Sequence, residues 1–177
     1  MRTICVVTAT RAEYGLLRPV VQKLAASSTL QLQLVATGAH LCPRLGETVR
    51  EIEADGVSIA ARLPIFVGDE NEPVAVTIAR TITVFDAYFS AHRPDAVLLL
   101  GDRFEIFAAA TAAAARHIPI AHISGGDVTL GAADEYYRHC ITKMAAVHFP
   151  SCADSAARLI RMGEAPETVF CVGGLGD

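Results

Sequence analysis

Four short polar clusters interrupt an otherwise apolar chain: Thr8-Ala9-Thr10-Arg11-Ala12-Glu13-Tyr14, Thr37-Gly38-Ala39-His40, Gly101-Asp102-Arg103-Phe104-Glu105 and His122-Ile123-Ser124-Gly125-Gly126-Asp127. Each follows a run that reads as a buried strand, so each falls at a strand's carboxyl end. Asp102 comes after five apolar residues and a glycine, which aims a partly desolvated carboxylate outward, as a general base requires. Aspartate also suits the N-cap of the helix that follows, and the two roles are compatible. Arg11 stands at a helix start, where its guanidinium and the helix N–H groups can meet a phosphate together. The plainer alternative is a surface pair with Glu13. Gly125-Gly126 lets backbone come close to a ligand, and Asp127 follows directly. Asp134 and Glu135 open a further helix on which Arg138 falls one turn after Asp134, a spacing that pairs those two. Capping and pairing alone would account for that trio. His122, at a strand end, is better placed for function than His92 or His117, which flank prolines or helix ends and are expected to be exposed.

The elements that must carry these clusters alternate along the whole chain. Strands are predicted at residues 3–8, 32–37, within 57–66, 96–100, 118–123, 146–150 and 168–172. Helices are predicted at 13–26, 44–54, 72–90, 104–116, 134–145 and 152–162. Pro19 near the first turns of the first helix costs little, because the missing N–H is needed least there. The uninterrupted Ala96-Val97-Leu98-Leu99-Leu100 suits a strand buried on both faces of a parallel sheet. Such alternation predicts an α/β fold with a doubly wound, Rossmann-like, mostly parallel sheet. In such sheets ligands bind beyond the carboxyl ends of the strands, so all four clusters are expected on one rim. The domain is expected to occupy residues 1–172, with the glycine-rich 173–177 starting an interdomain linker.

Several functions lack their signatures. The first turn has neither GxGxxG for a dinucleotide nor GxxxxGK[ST] for a P-loop. No HxH, HExxH or similar spacing suggests a metal site, and no cofactor is expected. Five cysteines with no CxxC pair argue against a disulfide framework or zinc ribbon, and their apolar neighbourhoods suit small buried hydrophobes. A net charge of −4 gives no electrostatic reason to expect nucleic acid. No apolar run has the length of a bilayer span, and the start lacks the pattern of a signal peptide, so no membrane association and a cytoplasmic location are expected.

The stretches "TATRAEYGLL", "VATGAHL", "LLLGDRFE", "IPIAHISGGDVTLGAADEYYRHCITKMAAVHF" and "VFCVGG", in this order and without large gaps, resemble the hydrolysing UDP-N-acetylglucosamine 2-epimerases of sialic and legionaminic acid biosynthesis. The resemblance implies the N-terminal half of a two-domain glycosyltransferase-B-like fold, with the sugar nucleotide held between the halves. It implies cleavage of UDP-N-acetylglucosamine, or a related UDP-diacetamido sugar, to UDP and the free 2-epimer. The chemistry implied is proton abstraction at C2, loss of UDP to leave a glycal, and hydration of that glycal. By resemblance Asp102 and Asp134 match catalytic carboxylates, Arg11 and Arg103 reach the nucleotide phosphates, and His40 and His122 line the sugar site. Many members carry a glutamate where this chain has Ser124, a residue too weak to serve as that base. Asp127 or Glu135 then takes the role, or the subfamily works without it, or the activity is altered. Nothing here corresponds to a C-terminal domain, so the isolated chain is expected to hold half a site and to be inactive alone.

A non-hydrolysing epimerase is disfavoured, since its usual start GTRPE differs from TATRAEY and it lacks GDRFE. A non-catalytic sugar-nucleotide-binding or oligomerisation module is the alternative of another class. Ser124 and the lack of a matching second domain favour it, and the retained Asp102, Asp134 and Arg11 oppose it. Apolar residues along 72–90 suggest a face for a homo-oligomer.

Overall fold

The computed structural model describes residues 1–176. Six strands form one fully parallel sheet: β1 Arg2–Thr8, β2 Leu30–Thr37, β3 Ile59–Leu63, β4 Ala96–Leu100, β5 Ile120–Ile123 and β6 Val147–Phe149, in the spatial order β3-β2-β1-β4-β5-β6. The chain winds outward from β1 to β3, crosses the sheet, and winds outward again from β4. The order therefore reverses between β1 and β4, which opens a crevice at their carboxyl ends.

Six helices connect and cover the strands: α1 Arg11–Ala25, α2 Val49–Ala54, α3 Val74–Ala91, α4 Phe104–Ala115, α5 Asp134–Met144 and α6 Ala153–Arg161. Side chains alternate across each strand, so one sheet has two cores. On one face Val6, Leu34, Leu98 and Leu100 pack against Tyr14, Leu17 and Val21 of α1 and Ile52 of α2. On the other, Cys5, Val7, Val97 and Leu99 meet Phe85 and Phe89 of α3, the alanines of α4 and Ile141 of α5. The alanine run of α4 has the physical reason that small side chains let it lie close to the sheet and to its neighbouring helices. Helix α3 has 18 residues and a mean hydropathy of 1.2, long and apolar enough to cross a membrane by those measures alone. Its face toward the sheet is core, and its Arg80 and Asp86 are ion-paired with Glu72 and Arg116.

The structure departs from the sequence expectations in several places, three of which concern the helix at 44–54, the last strand and the cysteines. The helix predicted at 44–54 is cut short: Gly38–Leu41 and Pro43–Leu45 form single 3-10 turns, and only Val49–Ala54 is α-helical. Pro43 starts the second turn, and Gly46, at φ 93°, ends it in a left-handed conformation that a helix cannot continue. The predicted last strand at 168–172 is a 3-10 turn at Pro166–Thr168 followed by one bridge, Val169 to His148. Cys5 and Cys42 are buried, whereas Cys140, Cys152 and Cys171 are exposed, so the cysteines are not uniformly core residues. Beyond the bridge, Val172, Gly173 and Leu175 line an apolar cavity with Ile4, Leu98 and Phe149 of the sheet and Val20 and Leu24 of α1, and Leu175 packs on that face of the core. Asp177, the last residue of the expected linker, lies outside the described residues.

Candidate active site

The strand ends are tied together before any side chain is placed. Gly101 N–H donates to the Ile123 carbonyl (3.1 Å), Ser124 N–H to Phe149 (3.0 Å) and His40 N–H to Ala9 (3.3 Å). Gly38 packs so tightly on β1 that an added Cβ would stand 3.0 Å from the Ala9 carbonyl oxygen. All four polar clusters therefore share the rim expected of them.

At the β1 end, Thr10 and Glu13 close a capping box on α1. The Thr10 hydroxyl accepts from Glu13 N–H (3.3 Å), and Glu13 Oε2 accepts from the N–H groups of Ala9 (2.8 Å) and Thr10 (3.2 Å). Arg11 does not pair with Glu13. It reaches Glu51 of α2 at 2.8 Å and remains 74% exposed. His40 is buried between two hydroxyls, Thr8 (2.9 Å) and Thr48 (2.8 Å), and burial pushes it down to about 4. That leaves it a neutral ring buried behind the ends of β1 and β2. Arg103, at the cap of α4, holds the buried Glu105 at 3.1 Å and 3.3 Å.

The densest convergence lies between β4, β5 and α5. Arg138 is 2% exposed, yet its guanidinium carries both Asp102 and Glu135, the latter at 3.1 Å. The same group donates to the Thr129 hydroxyl (2.6 Å) and the Asp127 carbonyl (2.8 Å). Asp102 and Glu135 each keep 24% of their side chains exposed. A buried arginine thus fixes the direction of two carboxylates that still reach solvent, and its charge favours their ionised forms. Thr129 N–H donates to Glu135 at 2.6 Å, and that bond, with His139 and Arg138, holds the Glu135 carboxyl below the usual range. The pairing of Arg138 with Asp134 suggested by helical spacing does not form. Asp134, partly buried at the start of α5, acts instead on Arg103.

His122 is fully buried, and burial pushes it down to about 4, so it is neutral. Its Nε2 lies 2.7 Å from the Gly101 carbonyl and, as donor, braces the turn that presents Asp102. Gly125 lies so close that a Cβ there would be 3.0 Å from His122 Nδ1. Gly126, at φ 81°, leaves even less room: a Cβ would meet the Ser155 carbonyl at 2.3 Å. These glycines are required by close packing behind the site. Asp127 turns its carboxylate toward α6, accepting from Ser151 (2.9 Å) and Ser155 (2.6 Å). Ser124 holds φ 63°, an uncommon conformation for a residue with a side chain.

Asp102, Ser124, Asp127 and Arg138 line an open cleft of about 530 Å³ whose far wall is the start of α6, with Cys152 and Arg158. That wall was absent from the sequence reading, which stopped at the ends of β1, β2, β4 and β5. The same rule applied to β6 would have found Pro150-Ser151-Cys152. No group of three or more His, Cys, Asp or Glu side chains suited to a metal ion occurs among the described residues.

Residues 22–176 match the family model described as UDP-N-acetylglucosamine 2-epimerase. This chain belongs to that epimerase family. It is 43% identical over 177 residues to the UDP-N,N'-diacetylbacillosamine 2-epimerase (hydrolyzing) of Legionella pneumophila, covering 99% of this chain and 47% of that protein. It is 39% identical to the GDP/UDP-N,N'-diacetylbacillosamine 2-epimerase (hydrolyzing) of Campylobacter jejuni, covering 99% and 46%. The chain spans about half the length of the curated relatives it matches. Its fold is that of the crystallised Neisseria meningitidis UDP-GlcNAc 2-epimerase bound to UDP-GlcNAc, with TM-score 0.86, 22% identity and coverage of 97% and 46%. An Acinetobacter baumannii MurG shares it more loosely, at TM-score 0.64, 14% identity and coverage of 86% and 42%. A half of a two-domain, glycosyltransferase-B-like epimerase is the architecture these matches describe.

Proposed function

We propose that this epimerase-family chain is the carboxylate-bearing half of a hydrolysing 2-epimerase that converts a UDP-linked N-acetylated sugar to UDP and the free 2-epimer. The observation that carries this is the seating of Asp102, which lines the cleft, and of Glu135, on the far side of the same ion pair, on the buried guanidinium of Arg138. Asp102 accepts the C2 proton, with its direction fixed by Arg138 and by the His122 brace beneath Gly101. Loss of UDP puts charge on the leaving diphosphate, which Arg11 and Arg103 offset together with the N–H groups at the starts of α1 and α4. Glu135 takes the role that Ser124 cannot fill, steering water and its proton to the glycal. Asp127, held by two hydroxyls, acts on the architecture of the cleft. A diacetamido sugar is the favoured substrate, because the relatives at 43% and 39% identity carry that substrate in their names.

A second reading, a sugar-nucleotide-binding module without turnover, draws on Ser124 alone. The test is UDP release from UDP-N-acetylglucosamine and from its diacetamido analogue, measured on the full-length natural protein. Release that falls by about 10²–10⁴-fold in Asp102→Asn is the expected result. A full-length protein that binds UDP and releases none from either sugar favours the module.

A further inference from the structure

The α6 wall of the cleft has no part in the chemistry above. Its polar face comes from Ser155 and Arg158, one turn apart on α6, and from Asp127 on the loop after β5. Asp127 Oδ1 accepts from both Ser151 (2.9 Å) and Ser155 (2.6 Å), and no described residue donates to Oδ2. Arg158 Nη1 donates to the Gly126 carbonyl, while its Nη2 and Nε have no bond and its guanidinium no carboxylate partner among the described residues. Two opposite charges thus share one wall of the cleft without pairing with each other, each fixed at one end and open at the other. The wall is stiff, because the loop packs on α6 so closely that a Cβ at Gly126 would meet the Ser155 carbonyl at 2.3 Å.

We propose that Asp127 and Arg158 form the subsite for a second acetamido group, on C4 of the sugar, with Asp127 Oδ2 accepting its N–H and Arg158 donating to its carbonyl. The proposal rests on the epimerase reading given above and names the part of this chain that sets the substrate class. An amide is neutral and presents one donor and one acceptor, so it satisfies an open acceptor and an open donor together. A carboxylate or phosphate in the same place would be repelled by Asp127, and an ammonium by Arg158. The C4 position follows from where the cleft's two sides stand. Asp102 meets C2 on one side, and α6 is the far wall. A ring held by its C1–C2 edge at Asp102 carries its C4 substituent on the opposite edge, toward that wall. A C4 hydroxyl, being a single atom, extends less far toward it.

The test is kcat/KM of the full-length natural protein for UDP-N-acetylglucosamine and for the analogue that differs only in an acetamido group at C4. The unaltered protein is expected to prefer the diacetamido sugar by at least about tenfold, the worth of one hydrogen bond to a charged group. Asp127→Asn keeps an oxygen for the two serines and turns an amide donor toward the ligand's own N–H. Arg158→Lys keeps the charge and a donor for the Gly126 carbonyl, and loses the outward arm of the fork. Each is expected to lower the preference by about 10–100-fold. A collapse of the fold would lower both rates alike, so the preference separates a lost contact from a damaged protein. A smaller preference in the unaltered protein, or one that survives in either variant, would overturn the subsite and leave the epimerase reading in place. Release of UDP from neither sugar by the unaltered protein would overturn both.

Discussion

His122 shows how a residue can matter to a site without touching its ligand. The family resemblance suggested a sugar-lining histidine; the structure buries the ring and turns Nε2 to the Gly101 carbonyl. His40 is buried in the same neutral form, both rings lying at about 4 against an ordinary 6.5. Between those values the unfolded chain binds more protons than the folded one. The stability they contribute is complete above about 6.5 and is lost as pH falls toward 4. Glu13 acts in the opposite direction between 4.5 and about 7, but one glutamate offsets only part of two histidines. The expected result is that the urea midpoint drops on acidification from pH 7 to pH 5. In His122→Asn the unfolding free energy should be lower at pH 7, by about 1–3 kcal/mol for the disturbed buried bond, and the urea midpoint should fall less with acid. At this scale the sequence was only partly legible. Asp102, Glu135 and Arg138 were identifiable from strand ends and a helix start. That Arg138 chooses Asp102, 36 residues away, over Asp134 on its own helix was not, because helical spacing carries no information about what packs across it.

Elements position these residues through their ends. Helix α1 begins at Arg11, earlier than apolar periodicity suggested, because Thr10 caps the Glu13 N–H and Glu13 closes back on the Thr10 N–H. The capping box was present in the sequence as T-x-x-E, whereas the periodic apolar pattern starts only at Tyr14. Thr10→Ala is expected to lower stability by about 1 kcal/mol, read as a shift of the thermal midpoint. The same change should weaken nucleotide binding, since it loosens the turn that carries Arg11. The helix predicted at 44–54 was cut back to Val49–Ala54 for an equally local reason, the Pro43 and Gly46 breaks, which are legible in the sequence. The final strand failed for a reason that was not legible: a single bridge beside β6 depends on how much of that edge the chain reaches.

Across the whole molecule, the alternation of apolar runs and helices was enough to predict the α/β sheet and the rim on which the polar clusters meet. Once six strands run parallel with a reversal between β1 and β4, every polar strand end falls on one rim. The depth of that rim was not readable, because it depends on packing: Arg138 buried under Thr129 and Asp127, and α6 closing the far wall. The rim carries carboxylates, the exposed Arg11, the half-exposed Arg103 and two helix starts, and the chain spans about half of its curated relatives. The central claim is that Asp102, seated on Arg138, removes the C2 proton. It is tested most directly by running the full-length protein in deuterium oxide and reading deuterium at C2 of the released sugar by mass spectrometry and NMR. The account predicts one deuterium at C2 for the unaltered protein and a rate of labelled product at least about 10²-fold lower for Asp102→Asn. Product without deuterium at C2, or labelled product at an undiminished rate from Asp102→Asn, would contradict it.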